Sequence, residues 1–160
     1  MRNDFDKLWK HVAEQWHMPP RSIHGPDHWQ RVERNGLLLA TRAAAEVEVV
    51  RLFAIFHDSR RENERLDEGH GRRGAEFAAR LRGKFFDVSD DLFELLHYAC
   101  TWHTAGHHHE NSTIGTCWDA DRLDLGRVGA IPDPAFMSTE FGREIAASGS
   151  IQPFMSAASA

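Results

Sequence analysis

The residues with the clearest chemical potential are His57 and Asp58, which follow a run of apolar side chains. Residues 49–56 are apolar except for Arg51, and the run stops directly before the histidine and the aspartate. Moving an unpaired carboxylate out of water costs several kcal/mol, so Asp58 at the end of a buried helix needs a partner. A metal ion suits both imidazole and carboxylate ligands. We therefore expect further histidines and aspartates at the ends or on the inner faces of other helices.

Histidine is unusually frequent in this chain, with 11 residues against a single tyrosine. A lone histidine is ordinarily a solvated or hydrogen-bonded side chain, so its context has to set it apart. The residues that stand at predicted helix ends or inner faces, besides the His57-Asp58 pair, are His28, His70, His103 and Asp121. Their positions match the expectation for metal ligands.

The apolar periodicity that must position these residues is helical throughout, and no strand-like alternation of any length occurs. The predicted helices cover about 5–18, 26–46, 46–56, 70–82, 90–102 and 114–125, with a last one from about 138. Asp4 and Ser89 are predicted N-caps. Of the three acids in the 114–125 helix, Asp121 is expected to point furthest inward. The small residues at the C-terminus are expected to fray.

Length and composition limit the class of protein. The 160 residues are expected to form one domain, and 41% hydrophobic with 27% charged residues is typical of a globular chain rather than a disordered one. The formal charge of −5 argues against a nucleic-acid-binding role. Cys100 and Cys117 form no CxxC pair, which suggests a reducing compartment. With no visible signal peptide and no apolar run of about 18 residues, we expect a cytoplasmic protein without membrane contact.

The order and context of these residues resembles the HD-domain superfamily of metal-dependent phosphohydrolases. The matching segments are His28-Trp-Gln-Arg-Val32, the apolar run with His57-Asp58, His70-Gly-Arg-Arg-Gly-Ala75, His103-Thr-Ala-Gly106 and Ala120-Asp121-Arg-Leu-Asp124. They place a core at about 22–125 within a domain of 1–160, with an extension at 131–160. The resemblance implies an all-α, compact HD-domain-like helical bundle around a metal centre. No Gly-Tyr-Pro motif occurs, which argues against the cyclic-dinucleotide phosphodiesterase branch.

The resemblance also implies which residues bind metal. The implied ligands of a first metal site are His28, His57, Asp58 and Asp121. His70 and His103 match the additional histidines of members that hold two metals, in which Asp58 then bridges. Such ligands, without cysteine, suit one or two divalent ions of Mn, Fe, Co, Ni or Zn. The implied reaction is hydrolysis of a small phosphate ester, with nucleotides among the candidates, by attack of metal-activated water.

Further roles are predicted from nearness in sequence to these ligands. The predicted substrate-binding residues, which would neutralise phosphate oxygens, are Arg60, Arg61 and Arg122. The predicted catalytic residues are Asp58, Glu62 and His24, with His24 or Glu62 protonating the leaving alkoxide. Asp124 is expected to orient a ligand or an arginine. Asp119 and residues 107–109 are expected to be solvated or supporting.

Other functions fit the same residues. The ligands could belong to a di-iron HD-type oxygenase. The metal could also only hold the helices together, or the domain could bind a regulatory nucleotide without catalysis. The acidic charge balance disfavours a helical DNA-binding module. The leading prediction is a hydrolase whose partner is a small phosphorylated substrate.

Overall fold

The computed structural model describes residues 2–159, and within that range the regular structure is helical. The helices are α1 (Phe5–Ala13), α2 (Pro26–Ala40), α3 (Val47–Phe56), α4 (His70–Leu81), α5 (Asp90–Trp102), α6 (Ser112–Arg122), α7 (Glu140–Ser148) and α8 (Gln152–Ser159). Two short 3-10 helices, Leu125–Val128 and Pro134–Phe136, connect α6 to α7. The extended pairing in this range is a single isolated bridge between Arg82 and Phe86. The prediction of an all-α fold is confirmed.

Helix α3 lies at the centre of the bundle. It packs against α1, α2, α4, α5 and α6. The side chains from Leu52 to Phe56 are all fully buried. From Leu52 onward the helix therefore has no solvated face, which explains why its sequence is an almost continuous apolar run. None of the helices in the described range has the length and apolar character required to cross a membrane.

The C-terminal end of α3 is the point where other helix ends meet. His57 is the C-cap residue of α3, and His103 is that of α5. His70 is the first residue of α4, which Gly69 precedes at φ +81°. His28 lies in the first turn of α2, which begins with Pro26. The fold therefore presents the predicted ligands from the ends of several helices around one terminus.

Two glycines let α4 approach its neighbours closely. A Cβ atom at Gly71 would lie 2.2 Å from the Cys100 carbonyl oxygen, and one at Gly74 would lie 2.3 Å from that of Phe56. These carbonyls belong to α5 and α3, so any larger residue would push α4 away from both helices. The glycines thus set the distance of His70 from the ends of α3 and α5.

Several helix boundaries differ from those predicted. The cap predictions are confirmed, because Asp4 accepts a hydrogen bond from the Lys7 amide and Ser89 accepts one from the Leu92 amide. Helix α1, however, ends at Ala13, and α2 ends at Ala40 rather than near Glu46. Glu46 is instead the N-cap residue of α3, since the chain must turn between α2 and α3 for the two helices to pack against each other.

The C-terminal half contains three further corrections. The tail expected to fray forms α8. Trp102, which helical periodicity places on the same apolar face of α5 as Leu95 and Ala99, is 47% exposed. Asp119, not Asp121, is the most buried acid of α6: it is fully buried, whereas the Asp121 side chain is 16% exposed. Asp119 is supporting rather than solvated, because its carboxylate accepts hydrogen bonds from the Ser138 amide (2.7 Å) and the Thr139 amide (2.8 Å), which lead into α7.

Candidate metal centre

Four of the predicted ligands form one group at the end of α3. His28 Nε2 lies 3.4 Å from Asp58 Oδ2 and 3.0 Å from Asp121 Oδ1. His57 Nε2 lies 3.6 Å and 3.5 Å from the same two oxygens. The two Nε2 atoms are 3.1 Å apart. Both imidazoles are fully buried, so the nitrogens and carboxylate oxygens face one another rather than water.

A second group forms on the other oxygen of Asp58. Asp58 Oδ1 lies 3.1 Å from His70 Nε2 and 3.3 Å from His103 Nε2. These two nitrogens are 3.0 Å apart. Each Asp58 oxygen thus faces a different pair of histidines, and all five side chains involved are buried. This arrangement gives two clusters that could each hold a metal ion: His28 with His57 and Asp58, and Asp58 with His70 and His103.

The other ring nitrogen of each histidine already has an acceptor. The Nδ1 atom of His57 lies 3.0 Å from the Phe53 carbonyl oxygen, that of His70 lies 2.6 Å from Asp67 O, and that of His103 lies 2.7 Å from Cys100 O. His28 Nδ1 lies 2.7 Å from Asp124 Oδ2. A neutral imidazole that donates from Nδ1 has a bare lone pair at Nε2.

These tautomers direct lone pairs and carboxylate oxygens into one buried space. Acceptors 3.0–3.1 Å apart repel unless a metal ion or a proton lies between them. Asp121 Oδ1 is buried, and among the described residues the atoms that face it are the Nε2 nitrogens of His28 and His57, as expected of a ligand atom. The donor set of nitrogens and oxygens, with a supporting acceptor behind each histidine, fits a divalent transition metal.

The surroundings of Asp58 and Asp121 lower the pKa values of both carboxyl groups. Burial alone raises the pKa of Asp58, but the facing histidines, His57 foremost, outweigh burial and hold the pKa well below its usual range. His28 and His57 do the same for Asp121. For His28, burial lowers the pKa, yet hydrogen bonds to Asp121, Asp124 and Asp58 raise it from 6.5 to about 10. Without a metal, therefore, a proton on His28 supplies the positive charge.

Comparison with known proteins agrees with the fold described above. A crystal structure from an uncultured Thermotogales bacterium, described as a predicted HD superfamily hydrolase, is similar to this chain with a TM-score of 0.71. The two are 25% identical, and the similarity covers 90% of this chain and 83% of the other. The chain belongs to the HD-domain superfamily. No family model matches the sequence, and no curated protein matches it.

Two of the other predicted site residues of this HD domain lie beside the ligands. His24 is buried, and its Nδ1 lies 3.2 Å from Asp58 Oδ2. Arg61 is 7% exposed, and its Nε lies 3.6 Å from Asp58 Oδ1. Arg61 Nη1 donates to two carbonyl oxygens in the 61–69 loop, while Nε is buried and has no hydrogen-bond partner among residues 2–159. The structure thus brings one proton-carrying group and one cation to the centre of the HD domain.

Glu62 and Arg60 are not brought there. The Glu62 side chain is 65% exposed and lies 3.6 Å from Arg73 Nε. The Arg60 guanidinium lies over the Phe77 ring, 4.2 Å from its centroid. Both residues line a separate depression on the surface of the HD domain. The loop backbone is held here by the buried Asp67 carboxylate, which accepts a hydrogen bond from the Glu62 amide at 2.6 Å.

The Arg122 side chain contacts the protein backbone. Its guanidinium donates to backbone carbonyl oxygens of the segment after α5 and of the Pro134–Phe136 turn, namely those of His103, Gly106, His107 and Phe136. Burial lowers the pKa of Arg122, although Asp121 and Asp119 oppose the shift. An arginine satisfied by carbonyl groups anchors the loop that carries His103 in this HD domain.

Two supporting residues of the HD domain were missed from the sequence. The backbone carbonyl oxygen of Asp67 orients His70. The side-chain carboxylate of Asp67 accepts a hydrogen bond from Arg73 Nη2 at 2.6 Å. Thr104 Oγ1 lies 3.4 Å from His70 Nε2. The one available signal was an acid three residues before His70 in a loop. Asp124 takes the orienting position expected of it, since it contacts His28 and accepts from Arg31 Nε at 2.9 Å.

Proposed function

We propose that this HD domain is a metal-dependent phosphohydrolase acting on a small phosphate ester. The observation that carries the proposal is the Asp58 carboxylate, whose two oxygens face two separate pairs of buried histidine Nε2 atoms. A divalent ion bound there would lower the pKa of a coordinated water towards about 7 and polarise a phosphoryl oxygen. In the overall reaction water adds to phosphorus, the ester P–O bond breaks, and the alcohol leaves with a proton.

The chain's own residues supply the remaining requirements. Arg61 holds a phosphate oxygen, because its Nε atom is buried, cationic and without a hydrogen-bond partner. His24 is the non-ligand histidine in contact with Asp58, and we assign to it the proton that the leaving alkoxide takes up. The acceptors behind the four ligand histidines keep the rings in one orientation, so substrate binding does not have to order them.

The test is phosphate release by protein stripped of metal with a chelator and then supplied separately with Mn, Fe, Co, Ni or Zn. We expect at least one ion to support turnover on a panel of phosphate monoesters. We expect His57→Ala and Asp58→Ala to reduce the rate at least about a hundredfold, because each removes a ligand. The exposed His107 offers a matched control, and His107→Ala should retain activity.

Circular dichroism of each variant separates a lost site from a lost fold. The proposal fails if no ion restores phosphate release on any ester while the helical content is intact. It also fails if the purified protein holds iron and consumes oxygen with its substrate.

A further inference from the structure

A cavity of about 420 Å³ adjoins the second histidine group. It lies among the 61–69 loop, the first turn of α4 and the end of α5. His70 and Thr104 both line it, and the contact between them joins the cavity to the candidate metal centre. The volume falls within the range of about 300–1,000 Å³ found for small-molecule sites.

The part of the cavity nearest the metal centre suits an anion. Arg61 lines it and is almost fully buried, and its Nε atom lies 3.6 Å from Asp58 Oδ1 and has no hydrogen-bond partner in the described part of the chain. Helix α4 begins here without a side-chain cap, because Gly69 precedes it. The positive end of its dipole therefore reinforces the charge of Arg61. Arg65 and Arg72 also line the cavity, which gives three arginines against the two acids Asp67 and Glu68, and the Asp67 carboxylate is already paired with Arg73.

The remaining wall of the cavity carries two exposed apolar side chains. Leu66 is 80% exposed in a loop otherwise rich in charge, and Trp102 is 47% exposed at the end of α5. Both line this cavity. These two side chains form an apolar surface beside a concave cationic site. Burial of a flat apolar group against this surface, away from water, is favourable in free energy.

We propose that this cavity selects phosphate esters whose alcohol carries a flat aromatic group, with the ring on Trp102 and Leu66 and the phosphate towards Arg61 and His70. The inference rests on the proposed hydrolase function and adds the substrate class. The shared chemistry, an aromatic ring on a phosphate ester, occurs both in nucleoside monophosphates and in simple aryl phosphates.

The kinetic test compares three esters on metal-loaded protein: adenosine monophosphate, phenyl phosphate and glycerol 3-phosphate. Trp102→Ala should lower kcat/KM for the aromatic esters by about tenfold and leave glycerol 3-phosphate within about twofold, as expected for a lost stacking contact. Trp102→Phe should restore most of the loss. Phe136, an exposed aromatic residue outside the cavity lining, provides the control Phe136→Ala.

A loss for adenosine monophosphate alone assigns the ring to a nucleobase, and a loss for both aromatic esters assigns it to aromatic groups in general. An equal loss on all three esters, or no loss on any, overturns the inference.

A binding measurement separates this inference from the proposed function. Calorimetry of metal-loaded protein with phenylphosphonate and with methylphosphonate, neither of which is hydrolysed, should show about tenfold weaker binding of phenylphosphonate alone in Trp102→Ala. Tight phenylphosphonate binding that depends on Trp102, without hydrolysis of any ester, would contradict only the hydrolase function. Hydrolysis with phenylphosphonate binding unaffected by Trp102→Ala would contradict only the aromatic selectivity.

Discussion

Asp58 differs from the other acids of the site because its two oxygens have different neighbours. Oδ2 faces His28 and His57, while Oδ1 faces His70 and His103. A single carboxylate therefore couples two groups of ligands that come from different helices. Removing it would leave buried imidazoles without their common counter-charge, so its loss has larger consequences than the loss of any one histidine.

The arrangement predicts different metal contents for two variants. His70→Ala removes a ligand of the second group only and should lower the metal bound per chain while leaving the first group able to bind. Asp58→Ala removes a ligand of both groups and should abolish stable binding. Elemental analysis of the purified variants, each checked for helical content, measures this directly. Equal metal content in His70→Ala and the parent protein would contradict the two-group arrangement.

The raised pKa of His28 predicts how pH affects metal binding. In the metal-free protein this histidine stays protonated up to a pKa of about 10, so a metal ion must displace its proton. Affinity should therefore rise with pH below 10, by about tenfold per pH unit for each proton displaced. Competition with a chelator of known affinity at several pH values measures the slope.

The raised pKa of His28 also predicts how the stability of the metal-free protein depends on pH. Because the folded pKa lies above the unfolded value of 6.5, the contribution of His28 to metal-free stability is complete below pH 6.5 and is lost as pH rises through 10. Asp124→Asn should weaken both trends, since Asp124 is one of the groups that raise this pKa. A pH-independent affinity in the parent protein would contradict the proton displacement.

At the scale of elements, the site depends on how closely α4 can approach α3 and α5. The two glycines of α4 provide that approach without any special backbone angle; they matter because a Cβ atom would meet carbonyl oxygens. Helix packing of this kind sets the position of His70 more firmly than any bond made by His70 itself, because backbone atoms cannot move aside as side chains can.

Gly74→Ala is therefore expected to destabilise the protein by about 1–3 kcal/mol, the usual cost of overpacking. Gly71→Ala should in addition displace His70 and His103 and weaken metal binding at the second group, because its Cβ would lie 3.1 Å from His103 Nδ1. Urea unfolding and elemental analysis measure the two effects. Gly126→Ala is the control, since a Cβ there meets nothing within 4 Å, and a loss of similar size in this control would contradict the packing argument.

At the scale of the whole molecule, ligands separated by up to about a hundred positions in sequence meet at one end of the central helix. Such a site exists only when α2 to α6 are all in place. Metal binding and folding are consequently linked, and a bound ion adds stability in proportion to the logarithm of its concentration over its dissociation constant.

Features that depend only on neighbouring residues could be predicted from the sequence. The α3 run, the caps at Asp4 and Ser89, and the glycine before His70 act within a few residues, so their sequence patterns correspond directly to structure. The end of α2 was misplaced because its position is decided by the packing of α3 against it. Helix α8 was missed because its small residues carry little periodic signal.

The sequence by itself determined the kinds of ligand, their order and their places at helix ends, because helix starts and stops depend on neighbouring residues. Only the tertiary structure decided that Asp58 faces both histidine pairs, that Arg61 rather than Arg60 or Arg122 lies beside it, and that Trp102 lines a cavity. The physical reason is that the direction of a side chain beyond a helix end is set by contacts with distant segments, which nearness in sequence does not encode.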